Sequence, residues 1–137
     1  MTVNDLCFPA ICFQHKFLRI RHDAKSLTTS TTAGLRNEFF RDLLIVDTQG
    51  IACKVHDAKK LHGVGWFGGY NLFLNQRIKV ELVFEGQPFQ MSVGEVRQRV
   101  LDSFKRWSGW KTRGDFDELK AAIEHAPSIP EVIRLLT

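Results

Sequence analysis

The sequence predicts an α+β fold: an antiparallel β-sheet of roughly 4–5 strands, arranged as two hairpins and packed on one face by C-terminal helices. Three observations predict it. LLIVDTQGIACKV, residues 43–55, places two β-branched runs around an Asp and Gly turn, and RIKVELVF, residues 77–84, alternates apolar and polar side chains. Beyond residue 90 the apolar period changes from two to about 3.6, as in amphipathic helices. Strands first and helices afterwards, with no strand-helix-strand alternation, is the pattern of an α+β domain.

The 137 residues are expected to form a single globular domain, 1–137, because a chain of this size buries enough surface to fold without staples. Hydrophobic residues make up 44% and charged residues 25%, which excludes wholesale disorder. No apolar run approaches the ~20 residues needed to span a bilayer. The N-terminal MTVNDLCFPAICF has no basic residue, carries Asp5 and is broken by Pro9, so it does not read as a signal peptide. Cys7, Cys12 and Cys53 are odd in number and include no C-x-x-C pair, which points to a reducing, cytoplasmic setting. The formal charge of +4 is concentrated centrally. Residues 53–113 hold eleven basic and five acidic side chains, against six and five before them and two and five after. Such a field attracts phosphates or an acidic protein surface.

Taken in order, residues 13–22, FQHKFLRIRH, contain neither Gly nor Pro and alternate in part, so they read as one strand. His15 and His22 would then lie on opposite faces, too far apart to share a metal. TTSTTAG, residues 28–34, reads as a polar, mobile loop within the domain. Residues 35–40 have helical character, and residues 57–61 fit either a short helix or coil. The first hairpin joins 43–46 to 51–55 across Asp47 and Gly50. The second is expected to join Tyr70–Leu74 to 77–84 across Asn75 and Gln76. In 77–84, Ile78, Val80, Leu82 and Phe84 share one face, which the C-terminal third is expected to cover.

Helix starts are signalled three times. Ser92 with Glu95 forms a capping-box pattern, and the stripe Val93, Val96, Val100, Leu101, Phe104, Trp107 follows it. Asp115 to Glu118 opens a second helix, carrying Leu119, Ala122, Ile123 and Ala126. Ser128 with Pro130 in the first turn opens a third. The last, IPEVIRLLT, is apolar over about half its circumference and is expected to be buried.

HGVGWFGGYN, residues 62–71, has the G-x-G-x-x-G spacing of a dinucleotide loop at Gly63, Gly65 and Gly68. That chemistry needs a preceding strand and a helix whose N-terminus faces the pyrophosphate. Here a β-like segment follows instead, so the loop reads as a turn that either folds Trp66, Phe67 and Tyr70 onto the sheet or presents them to a partner. Lys105 to Arg113 interleaves Lys105, Arg106, Lys111 and Arg113 with Trp107 and Trp110 at a helix end. The cations complement the helix dipole there, and they could also engage a partner, extended by Arg97 and Arg99. The candidate partner-binding residues are therefore Trp66, Phe67, Tyr70, Arg97, Lys105, Arg106, Trp110, Lys111 and Arg113.

No catalytic, cofactor or metal constellation emerges. Cys53 and His56 project to opposite faces of a regular strand, and Asp115, Asp117 and Glu118 fit helix N-terminal charges. The expected function is that of a non-enzymatic protein-binding or inhibitory domain, such as a bacterial immunity protein that neutralises a toxin domain by occluding its surface. The alternatives are a nucleic-acid-binding module using the basic centre, and a metal-free ribonuclease-like enzyme using His and Lys. Neither a cofactor nor a membrane enters any of these readings.

Overall fold

The computed structural model describes residues 1–15, 17–36, 40–64 and 77–137. It is an α+β fold: a six-stranded, antiparallel, curled sheet, a half-barrel, with the C-terminal helices packed against it. The strands are β1 (Ala10–Gln14), β2 (Phe17–Arg21), β3 (Thr29–Thr31), β4 (Leu43–Val46), β5 (Ile51–Gly63) and β6 (Arg77–Gln90), in the sheet order β2-β1-β4-β5-β6-β3. Two short helices, α1 (Ala24–Leu27) and α2 (Thr32–Arg36), flank β3. Three longer ones, α3 (Val93–Arg106), α4 (Phe116–Glu124) and α5 (Ile129–Leu136), end the chain.

Four sequence expectations are corrected, each for a physical reason. FQHKFLRIRH is not one strand: it turns back on itself, pairing Gln14 with Phe17, so His15 and His22 do not share a strand. The two-residue connection brings His15 to a φ of 49°, the positive φ that a primed hairpin turn demands. TTSTTAG is not a loop. Its first half is the edge strand β3, paired with Lys79 to Arg77 of β6, and its second half opens α2. The Thr28 and Thr29 hydroxyls donate to the carbonyls of Ala24 and Lys25 at 2.8 and 2.7 Å, so the polar side chains satisfy the backbone locally.

Tyr70–Leu74, the expected partner of β6, lies outside the described residues, among which β6 neighbours β5 and β3; the third correction concerns residues 57–61, which are neither helix nor coil. The β5 strand runs on through residues 57–61 to pair Gly63 with Ile78. Irregularities at Ala52/Lys54, Val55/Asp57 and Lys60/His62 bend it, and such bulges increase local twist, which accounts for the curl. Lastly, the apolar row of β6 does not face the C-terminal helices.

Two clusters, one on each face of the sheet, form the core. On the helix side Ile11, Phe13, Leu44 and Val46 meet Val96, Val100 and Phe104 of α3, Ile123 of α4 and Val132 of α5. On the concave side Cys12, Ile45, Cys53 and Val55 meet the Ile78, Val80 and Leu82 row of β6, closed by Leu6, Leu27 and Phe40. Every residue of β1 and β4 is buried, so both faces of these strands need cover.

The helix starts agree with the sequence at all three sites, two of them with a side-chain cap. Ser92 and Ser128 accept from the amides of Glu95 and Glu131 at 3.2 and 3.3 Å, and Pro130 sits in the first turn of α5. The Glu95 carboxylate accepts from the Ser92 hydroxyl, at 3.3 Å, rather than from its amide. Asp115 makes no side-chain cap because its carboxylate is held by Arg113.

The turn between β4 and β5 is held by Asp47, which is fully buried. Its carboxylate accepts from the amides of Cys7, Gln49 and Ile51 at 3.0, 2.9 and 2.9 Å, fastening the N-terminal segment to the hairpin. Gly50, at a φ of 83°, completes the turn where any Cβ would strike the Met91 carbonyl. Replacing Asp47 by Ala leaves three amides without an acceptor, so chemical denaturation should show a loss of about 3 kcal/mol. Replacing the exposed Glu124 should cost no more than about 0.5 kcal/mol.

Candidate functional site

The turn of the β1–β2 hairpin and the C-terminal end of α3 meet, and each contributes to two adjoining features. From the hairpin come His15 and then Phe17; from the helix come Arg106 and then Trp107. His15 and Arg106 line a polar cleft, while Phe17 and Trp107 form an aromatic pair at the surface.

The pair is an edge-to-face contact with ring centroids 5.5 Å apart and planes at 60°. Both rings remain 37% exposed. Behind them the aromatics continue inward. Trp107 meets Trp110 at 6.1 Å, Trp110 meets Phe104 at 4.9 Å, and Phe104 is fully buried in the helix-side core. The exposed pair is thus the outer end of a chain of rings anchored in the core.

Gly109 makes this possible. After α3 the chain passes into a 3-10 turn, Ser108–Thr112, and the Trp107 indole folds over the Gly109 backbone. A Cβ at position 109 would lie 2.5 Å from Cζ2 of that ring, closer than side chains tolerate. Trp110 is half-buried, with the Arg113 guanidinium 6.0 Å from its ring centre, and its Nε1–H is buried without an acceptor among the described residues.

The cleft has a volume of about 240 Å³ and is walled on one side by Arg99, Asp102 and Arg106, spaced so that they share one face of α3. His15 and Asp42 wall the other side, and buried Phe13 forms the floor. Asp42, just before β4, has a φ of 59°. It and His15 are the two non-glycine residues with positive φ among the described residues, and both border this cleft. The Arg99 guanidinium stands 5.7 Å from the centre of the Phe13 ring.

The sequence-predicted residues separate. Lys105, Arg106 and Lys111 are exposed, and Arg106 lines the cleft. Arg113 is exposed too, but it forms a bidentate pair with Asp115 at 3.0 and 3.1 Å, which holds that carboxyl below the usual range. Arg97 is turned inward, donating to the Ala126 carbonyl at 2.8 Å, and so ties α3 to the link between α4 and α5. Trp66, Phe67 and Tyr70, with most of the glycine loop, lie outside the described residues. Its first residues, His62 and Gly63, end β5, and the amide of Val64 donates to the Arg77 carbonyl at 2.9 Å. Sequence reasoning missed Phe17, His15 and Asp42. Nothing local marks them, because the hairpin turn that presents the first two carries no Gly or Pro.

The basic centre of the sequence divides between two surfaces. One is the end of α3. The other is the β5–β6 ribbon, where Lys54, Lys59, Arg77 and Lys79 are exposed, though Lys59 stands opposite Glu81 and Lys54 opposite Glu85.

The cysteines are arranged for packing. Cys12 and Cys53 are buried on the concave side, where loss of hydration pushes their thiols up to about 12 and about 11. Among the described residues, no group of three or more His, Cys, Asp or Glu side chains could hold a metal ion, and no helix is long and apolar enough to cross a membrane. No protein-family model matches the chain, and neither a curated protein nor a solved structure is similar to it.

Gly109→Ala should displace the Trp107 indole while leaving the fold intact. The expected result is a shifted Trp107 Nε1–H resonance and altered near-ultraviolet dichroism, with a stability loss of about 1–2 kcal/mol. An unchanged indole resonance would show that the ring does not rest on Gly109.

Proposed function

We propose that this chain is a non-enzymatic protein-binding domain that acts by occluding a partner's surface, in the manner of a bacterial immunity protein neutralising a toxin domain. One observation carries the reading. Two large aromatic rings from separate elements, Phe17 and Trp107, stand together at the surface and are held from behind by buried rings, in a segment whose Lys105, Arg106 and Lys111 are exposed. Recognition surfaces concentrate their binding energy in such aromatic and arginine anchors, with polar neighbours that exclude water around them. Because the rings are already positioned by packing, little conformational freedom is lost on binding.

The cations define the partner's complement. A partner patch with acidic residues around an apolar centre would meet both parts of this face and would be steered to it by charge. This differs from a nucleic-acid mimic that blocks a basic nuclease, which would itself be acidic. The nucleic-acid alternative has its best support in the exposed basic residues of the β5–β6 ribbon, since a two-stranded ribbon can enter a major groove. The opposed Glu81 and Glu85 weaken the field that such binding needs.

The test compares the wild-type chain with a Phe17→Ala, Trp107→Ala double variant, both immobilised and exposed to extract of the native host. The wild type should retain one stoichiometric protein, and the variant should bind it roughly 30-fold more weakly, corresponding to about 2 kcal/mol of hot-spot energy. Retention should survive a rise in salt from about 50 to about 200 mM, over which phosphate-dominated binding falls by ~10³ or more. Capture of nucleic acid alone, released by that salt step, would contradict the proposal.

A further inference from the structure

The cleft beside the aromatic pair has chemistry of its own. Arg99 and Arg106 are both exposed, and neither guanidinium forms an ion pair or a side-chain hydrogen bond among the described residues. The acid nearest to them in sequence, Asp102, lies three residues after Arg99 and four before Arg106, spacings at which helical ion pairs usually form. Its carboxylate instead accepts from Nε2 of Gln98 at 3.1 Å. Ser103, also on this wall, spends its hydroxyl on the Arg99 carbonyl at 3.2 Å. Two planar, five-donor groups are therefore left facing an open cleft of about 240 Å³.

We propose that this cleft receives a carboxylate side chain, an Asp or Glu of the protein partner, between Arg99 and Arg106. This deepens the protein-binding reading and rests on it. A guanidinium matches a carboxylate with two parallel hydrogen bonds, and charge-assisted bonds of this kind are about twice as strong as neutral ones. The Phe13 ring beneath Arg99 limits the orientations open to that guanidinium. Trp107 follows Arg106 directly in the chain and pairs with Phe17, so a partner that covers this pair would stand next to the arginines.

Asp42 and Asp102 decide between a protein acid and a nucleic-acid backbone. Both line the same cleft, so a row of phosphates entering it would meet two like charges. A protein surface of mixed sign would not: an acid can reach the arginines while a neighbouring Lys or Arg meets Asp42.

The experiment is a titration of the isotope-labelled full-length chain, followed by the backbone amides and the Arg Nε–H resonances. The probes are an acetylated and amidated peptide of four Glu-Lys repeats, the matching peptide of four Gln-Lys repeats, and an eight-nucleotide oligo(dT), all at low salt. The Glu-Lys peptide should shift the Nε–H resonances of Arg99 and Arg106 together with the amides of Phe13 and His15, and the Gln-Lys peptide should not. The double variant Arg99→Gln, Arg106→Gln should keep the amide dispersion of the wild type and bind the Glu-Lys peptide roughly tenfold more weakly. Shifts confined to the β5–β6 ribbon, or stronger binding of oligo(dT) than of the Glu-Lys peptide at the same arginines, would overturn the proposal. A Phe17→Ala, Trp107→Ala chain should still show the Glu-Lys peptide shifts. Loss of the cleft response in the Arg variant alone thus tests the carboxylate site, separately from whether the aromatic face captures a protein.

Discussion

Burial of β1 and β4 on both faces is the constraint from which the rest of the molecule follows. A strand whose every side chain is inside requires cover above and below. The helices α3, α4 and α5 cover one face. The sheet covers the other itself, by bending the β5–β6 ribbon through three irregularities and closing the concavity with Leu6, Leu27 and Phe40. Asp47 joins these solutions, since its carboxylate fastens the N-terminal segment to the β4–β5 turn.

The candidate site is a consequence of that arrangement. To bury Val96, Val100 and Phe104 against Ile11, Phe13 and Leu44, the α3 helix brings its C-terminal end to the β1–β2 turn. The residues left outside the contact are Arg99, Asp102 and Arg106 on the helix wall and His15 on the hairpin. Trp107 follows where the helix stops, and its ring finds Phe17 on one side and the Gly109 backbone on another. The same ring chain that positions the exposed pair also seals the core, so the surface is rigid because the interior is packed.

The sequence made the fold class legible because its strongest signals are local. The Asp47 to Gly50 turn, the alternation of residues 77–84 and the serine caps of α3 and α5 each depend on neighbours within a few positions. What stayed hidden depends on non-local pairing. The β1–β2 hairpin turns at His15 with no Gly, Pro or Asn to announce it. Two extra residues in β5, at Val55/Asp57 and Lys60/His62, break its period, so residues 57–61 look featureless. A polar run of threonines becomes β3 because β6 offers it an edge. The candidate site was legible only in part. The cations of 105–113 were visible as a cluster, but Phe17 and Asp42 join them through the topology alone, and Arg97 and Arg113 are engaged within the chain.

The proposed binding surface combines one hairpin with one helix end, with an aromatic pair and, beside it, two arginines without an ion pair among the described residues. The most direct test is site-specific photo-cross-linking in the native host, with a photoreactive phenylalanine analogue replacing Trp107 in one chain and Lys59 of the β5–β6 ribbon in another. Position 107 should yield one discrete protein adduct, and position 59 none of that mass. An adduct formed from position 59 but not 107, or nucleic acid as the only species attached at either, would contradict a protein-binding face at the junction of the hairpin and α3.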